Sequence, residues 1–287
     1  MSLNPIVLVS GVNGFIGQII KKALTEEHGD GRVEIVAVPH ISNDGAFDKA
    51  VKGENHETLA SIMTFDKDPS KVIPATVAAT TSILNSCLKE PSVKSFVYTS
   101  SSSATSRPKP NVKWHIDGST WNDEDVKDAW KPESEDEKKP SFTVNVVLPS
   151  TNFGPVISSD EISSTGNFLK MVYEGMILPL QGVLPQYSVD VRDTGRLHVA
   201  AVKFPDVENR WIFARSEPYN WNKVLKVFRE IRPEHKFPGD IPDLGEDVST
   251  VNNAADEKLL VRMGWKSWTS FKELMDESLK SYGVLMS

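Results

Sequence analysis

The sequence predicts an α/β fold organised on parallel strands, and three observations predict it. An apolar N-terminal run, Ile6-Val7-Leu8-Val9, leads through Ser10 into a glycine-rich turn and then a helical repeat. Further short apolar runs recur along the chain with helical patterns between them. The 287 residues, 39% hydrophobic and 25% charged, are enough to bury a full α/β core.

Residues 6–17 read as strand, tight turn and helix, with Phe15, Ile16, Ile19, Ile20, Ala23 and Leu24 at helical spacing. The three glycines have a physical use. Gly11 permits the sharp turn, Gly14 lets a phosphate approach the backbone, and Gly17 lets the helix lie against the strand. The helix N-terminus then faces a pyrophosphate with its free N–H groups. The spacing is G-x-x-G-x-x-G, one residue longer than G-x-G-x-x-G. Between a strand and a helix it predicts dinucleotide binding; the plainer alternative is a βα turn that binds nothing.

Val33–Val38 reads as a second strand ended by Pro39, and Ala46–Val51 as a short helix. Residues 53–65 are ambiguous, because Glu54-Asn55-His56-Glu57 is polar where a buried parallel strand is apolar. Val72–Leu88 is a helix, and Ser95–Thr99 is a strand that runs into four serines, Ser100 to Ser103. Phe142–Leu148 is the next strand, ended by Pro149. Parallel neighbours need a crossover, normally a helix packed on the sheet. Residues 104–140 offer only Asp123–Trp130, capped by Asn122 and stopped by Pro132, before the solvated run Glu133–Lys139. The crossover helix is missing.

The C-terminal part alternates regularly. Ser163–Tyr173 is a helix, Tyr187–Val191 a strand, Asp193–Val202 a helix and Arg210–Ala214 a strand. Trp221–Ile231, Ala254–Met263 and Ser270–Tyr282 are helices, and 233–243 is a loop.

The net charge of −7 argues against nucleic acid and anionic membranes as partners. No apolar run reaches a transmembrane length, and the cytosol is the default compartment, so a cytoplasmic protein is expected. Cys87, the single cysteine, excludes a disulfide framework and is expected to be a buried thiol. His115 and Asp117 stand alone as ligand types on a polar loop, so no metal site is expected. His198 is expected to pack or hydrogen-bond rather than catalyse. Trp114, Trp121 and Trp130 are expected to pack half-buried around the acidic stretch. No G-x-S-x-G elbow occurs.

Five stretches fall in a single family order: Val9-Ser10-Gly11-Val12-Asn13-Gly14-Phe15-Ile16-Gly17, Gly45–Gly53, Lys94–Ser101, Pro149–Pro155, and Val189–Asp193 followed by His198. In them the chain resembles the extended short-chain dehydrogenase/reductase family, in particular fungal NADPH-dependent aldehyde and ketone reductases related to dihydroflavonol reductases. The resemblance implies a doubly wound, Rossmann-type parallel sheet with a smaller C-terminal substrate lobe. Residues 1–155 would form the dinucleotide-binding domain and 156–287 the substrate lobe. It also implies that Gly11, Asn13, Gly14, Phe15, Ile16, Gly17, Ala60 and Pro149 hold NADP, with NAD the alternative, and that a small carbonyl compound is the substrate, within secondary metabolism. Family chemistry uses a Ser-Tyr-Lys set. The serine carries over to Ser101, with Ser100 and Ser102 as rivals.

The tyrosine and lysine do not carry over, since no tyrosine occurs between Tyr98 and Tyr173. Tyr219 and Lys223 have the Tyr-x-x-x-Lys spacing but fall in the substrate lobe, where the match is one of chance. The first helix runs through Glu26-Glu27-His28-Gly29-Asp30 straight to Val33–Val38, which resembles the family's third strand. The strand that distinguishes a ribose 2′-hydroxyl from a 2′-phosphate is therefore expected to be absent, and the sheet incomplete. His40 stands where the family has Asp. Two functional readings follow: a reductase, or a catalytically impaired relative that binds a nucleotide or a partner. Clean internal gaps are also what an alternative transcript leaves.

Overall fold

The computed structural model describes residues 7–10, 14–28, 38, 40–52, 56–60, 68–128, 140–157 and 165–285. Five parallel strands make the main sheet, in the order β1 (Val7–Val9), β2 (His56–Ala60), β3 (Ser95–Thr99), β5 (Thr143–Pro149), β8 (Trp211–Ala214). Successive residues of a strand face opposite sides, and β3 shows what each side holds. Val97 packs with Val147, Ile212 and the buried face of α5 (Val191–Lys203), including Leu197 and Ala200. Phe96 packs with Ile83 and Cys87 of α2 (Pro69–Lys89) and with Phe47 and Phe142. Helices therefore cover both faces of a doubly wound sheet, which is why β3 is buried on both sides.

The helix α1 (Phe15–His28) lies against α5. Their closeness depends on Gly195, where an added Cβ would stand 2.6 Å from Ile19 Cγ2. The start of α2 is capped by Asp68, whose Oδ1 accepts from the Ser70 N–H at 3.0 Å.

A second, three-stranded sheet joins β6 (Thr151–Phe153) in parallel to β7 (Gln186–Asp190), which pairs antiparallel with β9 (Glu217–Tyr219). It shares a core with α4 (Gly166–Tyr173), α6 (Trp221–Ile231) and α8 (Phe271–Leu285), built on Phe153, Leu169, Trp221, Phe228 and Met275. The two-residue strand β4 (His115–Ile116) pairs with β10 (Thr250–Val251). The remaining helices are α3 (Asp123–Asp128) and α7 (Ala254–Arg262).

Three expectations change. The ambiguous stretch at 53–65 contains β2, which pairs with β1 on one side and β3 on the other. Ladder hydrogen bonds come from the backbone, so context overrides a polar sequence there. Ala46–Val51 is a run of turns rather than a helix. Ala46 N–H bonds the Asn43 carbonyl and Asp48 N–H the Gly45 carbonyl, with Gly45 in the left-handed region at φ +74°. The apolar spacing in that stretch is real, but it brings Phe47 and Val51 into the α2 core from turns. Finally, α5 and β8 lie beyond residue 155 yet build on the first sheet.

Of the expected strand at 33–38, residues 33–37 lie outside the described residues, and Val38 is not in a strand. Among the described residues, β1 pairs only with β2 and forms one edge of the sheet. His40 has a left-handed backbone, at φ +54°.

Candidate active site

Ligands of open α/β sheets bind beyond the carboxyl ends of the strands, and the expected site residues gather there. Gly14 precedes α1, and its carbonyl accepts the Gln18 N–H at 2.9 Å. The first turn of α1 carries no acidic residue, and Gly17 is buried. An N-terminus with free N–H groups and no opposing charge fits a pyrophosphate. Phe15 and Ile16 turn their side chains into apolar clusters, so their contribution to such a ligand is backbone N–H. Gly11 and Asn13 lie outside the described residues. Ala60 ends β2 opposite Thr99, and Pro149 ends β5 opposite Ala214.

Beyond β3 the serine run forms a braced turn. The Ser100 N–H bonds the Val147 carbonyl at 2.8 Å, extending the ladder past the strand. Ser101, in extended conformation, caps the 3-10 turn Ser102–Ala104, its Oγ accepting from the Ser103 N–H at 3.2 Å. A hydroxyl that accepts still has a proton to give, and that of Ser101 makes no hydrogen bond among the described residues. Asn122 Nδ2 donates to the Ser103 carbonyl at 2.7 Å, which fixes the far side of the turn.

The two strand ends are held from below. His198 is fully buried between Thr99 Oγ1, 2.7 Å from Nε2, and the Thr194 carbonyl, 2.8 Å from Nδ1. A carbonyl only accepts, so Nδ1 carries the proton and Nε2 accepts from Thr99. Burial pushes the His198 pKa down to about 4, against the smaller opposing effect of the Thr194 carbonyl. The imidazole thus ties the end of β3 to α5 and takes no part in proton transfer. At the end of β5, Asn152 Nδ2 donates to the Ser150 carbonyl at 3.1 Å, and Asn152 Oδ1 accepts from the Thr194 hydroxyl at 2.7 Å. Gly154, at φ +139°, sits where an added Cβ would be 2.8 Å from Val191 Cγ1. Asp190 then caps α5, its Oδ1 accepting from the Arg192 N–H at 2.7 Å.

Tyr219 and Lys223 make no catalytic pair. Tyr219 is buried in the apolar core of the second sheet, and burial raises its pKa. The Lys223 ammonium donates to the Pro218 carbonyl at 2.6 Å and pairs with Glu217 at 3.3 Å. His115 Nδ1 lies 2.8 Å from Thr250 Oγ1, and the Asp117 carboxylate accepts from the Ser119 N–H at 2.8 Å. No cluster of three or more His, Cys, Asp or Glu suited to a metal occurs among the described residues. Trp114 is half-buried with Lys109 Nζ 5.3 Å from its ring, whereas Trp121 is exposed and lies T-shaped to Trp211, ring centroids 4.4 Å apart. Trp130 lies outside the described residues. No described helix is long and apolar enough to cross a membrane.

One residue at the strand ends is marked by no motif. Arg215 follows β8 directly and is 4% exposed, with Nη2 donating to the Ser102 carbonyl at 2.9 Å. Its sequence signal is a charge placed immediately after the apolar run Trp211-Ile212-Phe213-Ala214, at the ligand end of a parallel strand.

No family model matches the chain. Aldehyde reductase 2 of Sporidiobolus salmonicolor is 30% identical over 96% of this chain and 95% of its own. The NAD-dependent epimerase/dehydratase terH of Aspergillus terreus is 31% identical over 96% of each. The first alignment runs over 328 positions, more than the 287 residues present here, so it opens gaps in this chain. Among solved structures, Gre2 of Candida albicans in complex with NADPH superposes with a TM-score of 0.80 at 19% identity, covering 98% of this chain and 99% of that one. Vestitone reductase from alfalfa gives 0.76 at 19% identity, with 98% and 99% covered. These structures share the fold described above, and the two sequence relatives are similar over nearly their whole length. The chain belongs to the extended short-chain dehydrogenase/reductase family.

Proposed function

We propose that this protein reduces a small carbonyl compound with NADPH, and that Ser101 is the residue that meets the carbonyl oxygen. The observation that carries this reading is the placement of Ser101. It stands at the carboxyl end of an inner parallel strand, in a braced turn, with its hydroxyl proton uncommitted. Gre2 structures similar to this one are complexes with NADPH, and the relatives include an aldehyde reductase and ketoreductases. Residues 1–155, joined by α5 and β8, would hold the cofactor, and the second sheet with its helices the substrate.

Bound NADPH would supply the hydride. The chain's part is to hold the pyrophosphate at the start of α1, with Gly11, Asn13, Gly14 and Gly17 allowing the approach and Phe15 and Ile16 offering backbone N–H. Ala60 and Pro149 would flank the cofactor at the strand ends. Ser101 donates a hydrogen bond to the substrate oxygen as charge develops there, and the alkoxide left by hydride addition takes its proton from water. No tyrosine lies between Tyr98 and Tyr173 to give the proton as a positioned general acid. Losing such an acid typically costs about 10²- to 10⁴-fold in rate, so a slow reductase is expected. That same absence favours a second reading, a family member that binds the nucleotide without turning it over.

Fluorescence titration with NADPH, followed by turnover of a simple aldehyde, separates the two. Binding with turnover supports the reductase, and binding alone supports the second reading. Ser101→Ala is expected to lower kcat by about 10²-fold with NADPH affinity unchanged. Turnover that survives the substitution overturns the serine's role.

A further inference from the structure

Arg215 carries a buried charge that no ion pair neutralises among the described residues. Its guanidinium hydrogen-bonds only through Nη2, to the Ser102 carbonyl at 2.9 Å and to the Thr105 hydroxyl. The Nε proton is buried without a partner. Among the described residues, Nη1 donates to nothing and no carboxylate makes an ion pair with Arg215. The Asp247 carboxylate attracts it through space without forming an ion pair, its Oδ1 accepting from the Ser249 N–H at 2.9 Å and the Ser249 hydroxyl at 2.6 Å. Neighbouring cations are already matched, Lys109 by Glu124 at 2.9 Å and Arg107 by Asp125. Burial lowers the Arg215 pKa to about 10, which still leaves the group charged at neutral pH. A largely buried cation without an ion pair is costly, and an anionic ligand would offset that cost.

Position and shape narrow the ligand. Arg215 lines a cleft of about 30 Å³ together with Ser102, Ser150, Tyr187, Ser249 and the carboxylate of Asp247. That volume takes a terminal group rather than a whole molecule. The cleft adjoins the turn capped by Ser101, and it lies at the end of β8, the sheet edge opposite β1 and the start of α1. A pyrophosphate at α1 is therefore not its occupant. A guanidinium offers parallel N–H donors that match the two oxygens of a carboxylate.

We infer that Arg215 is a specificity residue that receives a carboxylate carried by the substrate, so that the preferred carbonyl compounds are oxo acids. The substrate part of this inference rests on the reductase reading above; capture of a carboxylate by Arg215 does not.

The test compares 4-oxopentanoate with its methyl ester as NADPH-dependent substrates of the wild type, Arg215→Lys and Arg215→Met. Binding of hexanoate, which has no carbonyl to reduce, is measured in parallel by calorimetry. The wild type is expected to favour the acid by about tenfold or more in kcat/KM. In Arg215→Met the acid-to-ester ratio falls to about one, and Arg215→Lys keeps part of the preference. Damage to the Ser102 turn alone would lower both substrates together and leave the ratio as it was, which overturns the inference. Equal use of acid and ester by the wild type also overturns it, while leaving the reductase reading intact. If neither compound turns over, the reductase reading fails. Hexanoate binding to the wild type that is lost in Arg215→Met then still supports the carboxylate site, and no hexanoate binding overturns it.

Discussion

The chain crosses from β3 to β5 and again from β5 to β8. Both crossovers join parallel neighbours, yet they are made of different materials. The second contains α5, which buries Leu197, Val199, Ala200 and Ala201 against the sheet and against α1. The described part of the first contains α3, six residues long with an acidic first turn, and its Val126 is 53% exposed. Apart from Ile116, buried against Leu148 and Phe213 with Trp114 beside it, this crossover is pinned by hydrogen bonds. Asn122 bonds the Ser103 carbonyl, Arg215 the Ser102 carbonyl, and the Thr250 N–H the Trp114 carbonyl at 2.9 Å. Apolar contacts are many and undirected, whereas hydrogen bonds are few and fix particular atoms. The second crossover therefore contributes stability, while the first places polar groups at the strand ends and leaves a cleft beside them.

Four substitutions sharpen that contrast, from the largest effect to the smallest. Leu197→Ala, at a fully buried position of the second crossover, is expected to destabilise by about 2–5 kcal/mol in urea unfolding. A loss below about 1 kcal/mol would mean that α5 is not the apolar anchor of the sheet.

His198 adds a pH-dependent component to the same crossover. Its pKa falls from 6.5 to about 4 on folding, so the unfolded chain binds the extra proton. Its contribution to stability is full above pH 6.5 and is lost as pH falls toward 4, by about 2 kcal/mol between pH 7 and pH 5. Unfolding curves at both pH values should show His198→Gln losing less stability on acidification than the wild type, by about that amount. Parallel losses would place the pH dependence elsewhere.

In the first crossover the expected effects are smaller. Asn122 Oδ1 accepts the Asp125 N–H at 3.3 Å at the start of α3. Asn122→Ala removes this cap and the bond to Ser103, at a cost of about 1 kcal/mol. Because the Ser102 turn loses a brace, aldehyde turnover should fall more than that stability change suggests. Val126→Ala, on exposed α3, should change stability by no more than about 0.5 kcal/mol. A loss above 1 kcal/mol would reveal packing that α3 does not show here.

Much of the fold is legible where a pattern is local and strong. Trp221–Ile231 is a helix with the bounds its apolar spacing predicts, and Ser95–Thr99 is a strand with the bounds its composition predicts. The cap at Asn122 and the burial of Cys87 also follow from neighbouring residues. At Ala46–Val51 the apolar spacing reports burial rather than a helix, because turns also carry Phe47 and Val51 into the core. The site is legible in part. The glycine turn and the serine run are contiguous motifs, whereas the Thr99–His198 contact joins residues 99 positions apart. The gaps opened by the alignment with aldehyde reductase 2 agree with a chain that lacks segments its relatives have.

By itself the sequence determined the α/β class, the order of most strands and helices, and the missing tyrosine. Each of these is written in adjacent residues or in their absence. Only the tertiary structure decided that the polar segment His56–Ala60 is an inner strand, because both of its backbone edges find partners. Only the tertiary structure shows Arg215 buried beside the serine turn, with no ion-pair partner among the described residues. Pairing and desolvation are properties of what surrounds a group, and those surroundings are assembled from distant parts of the chain.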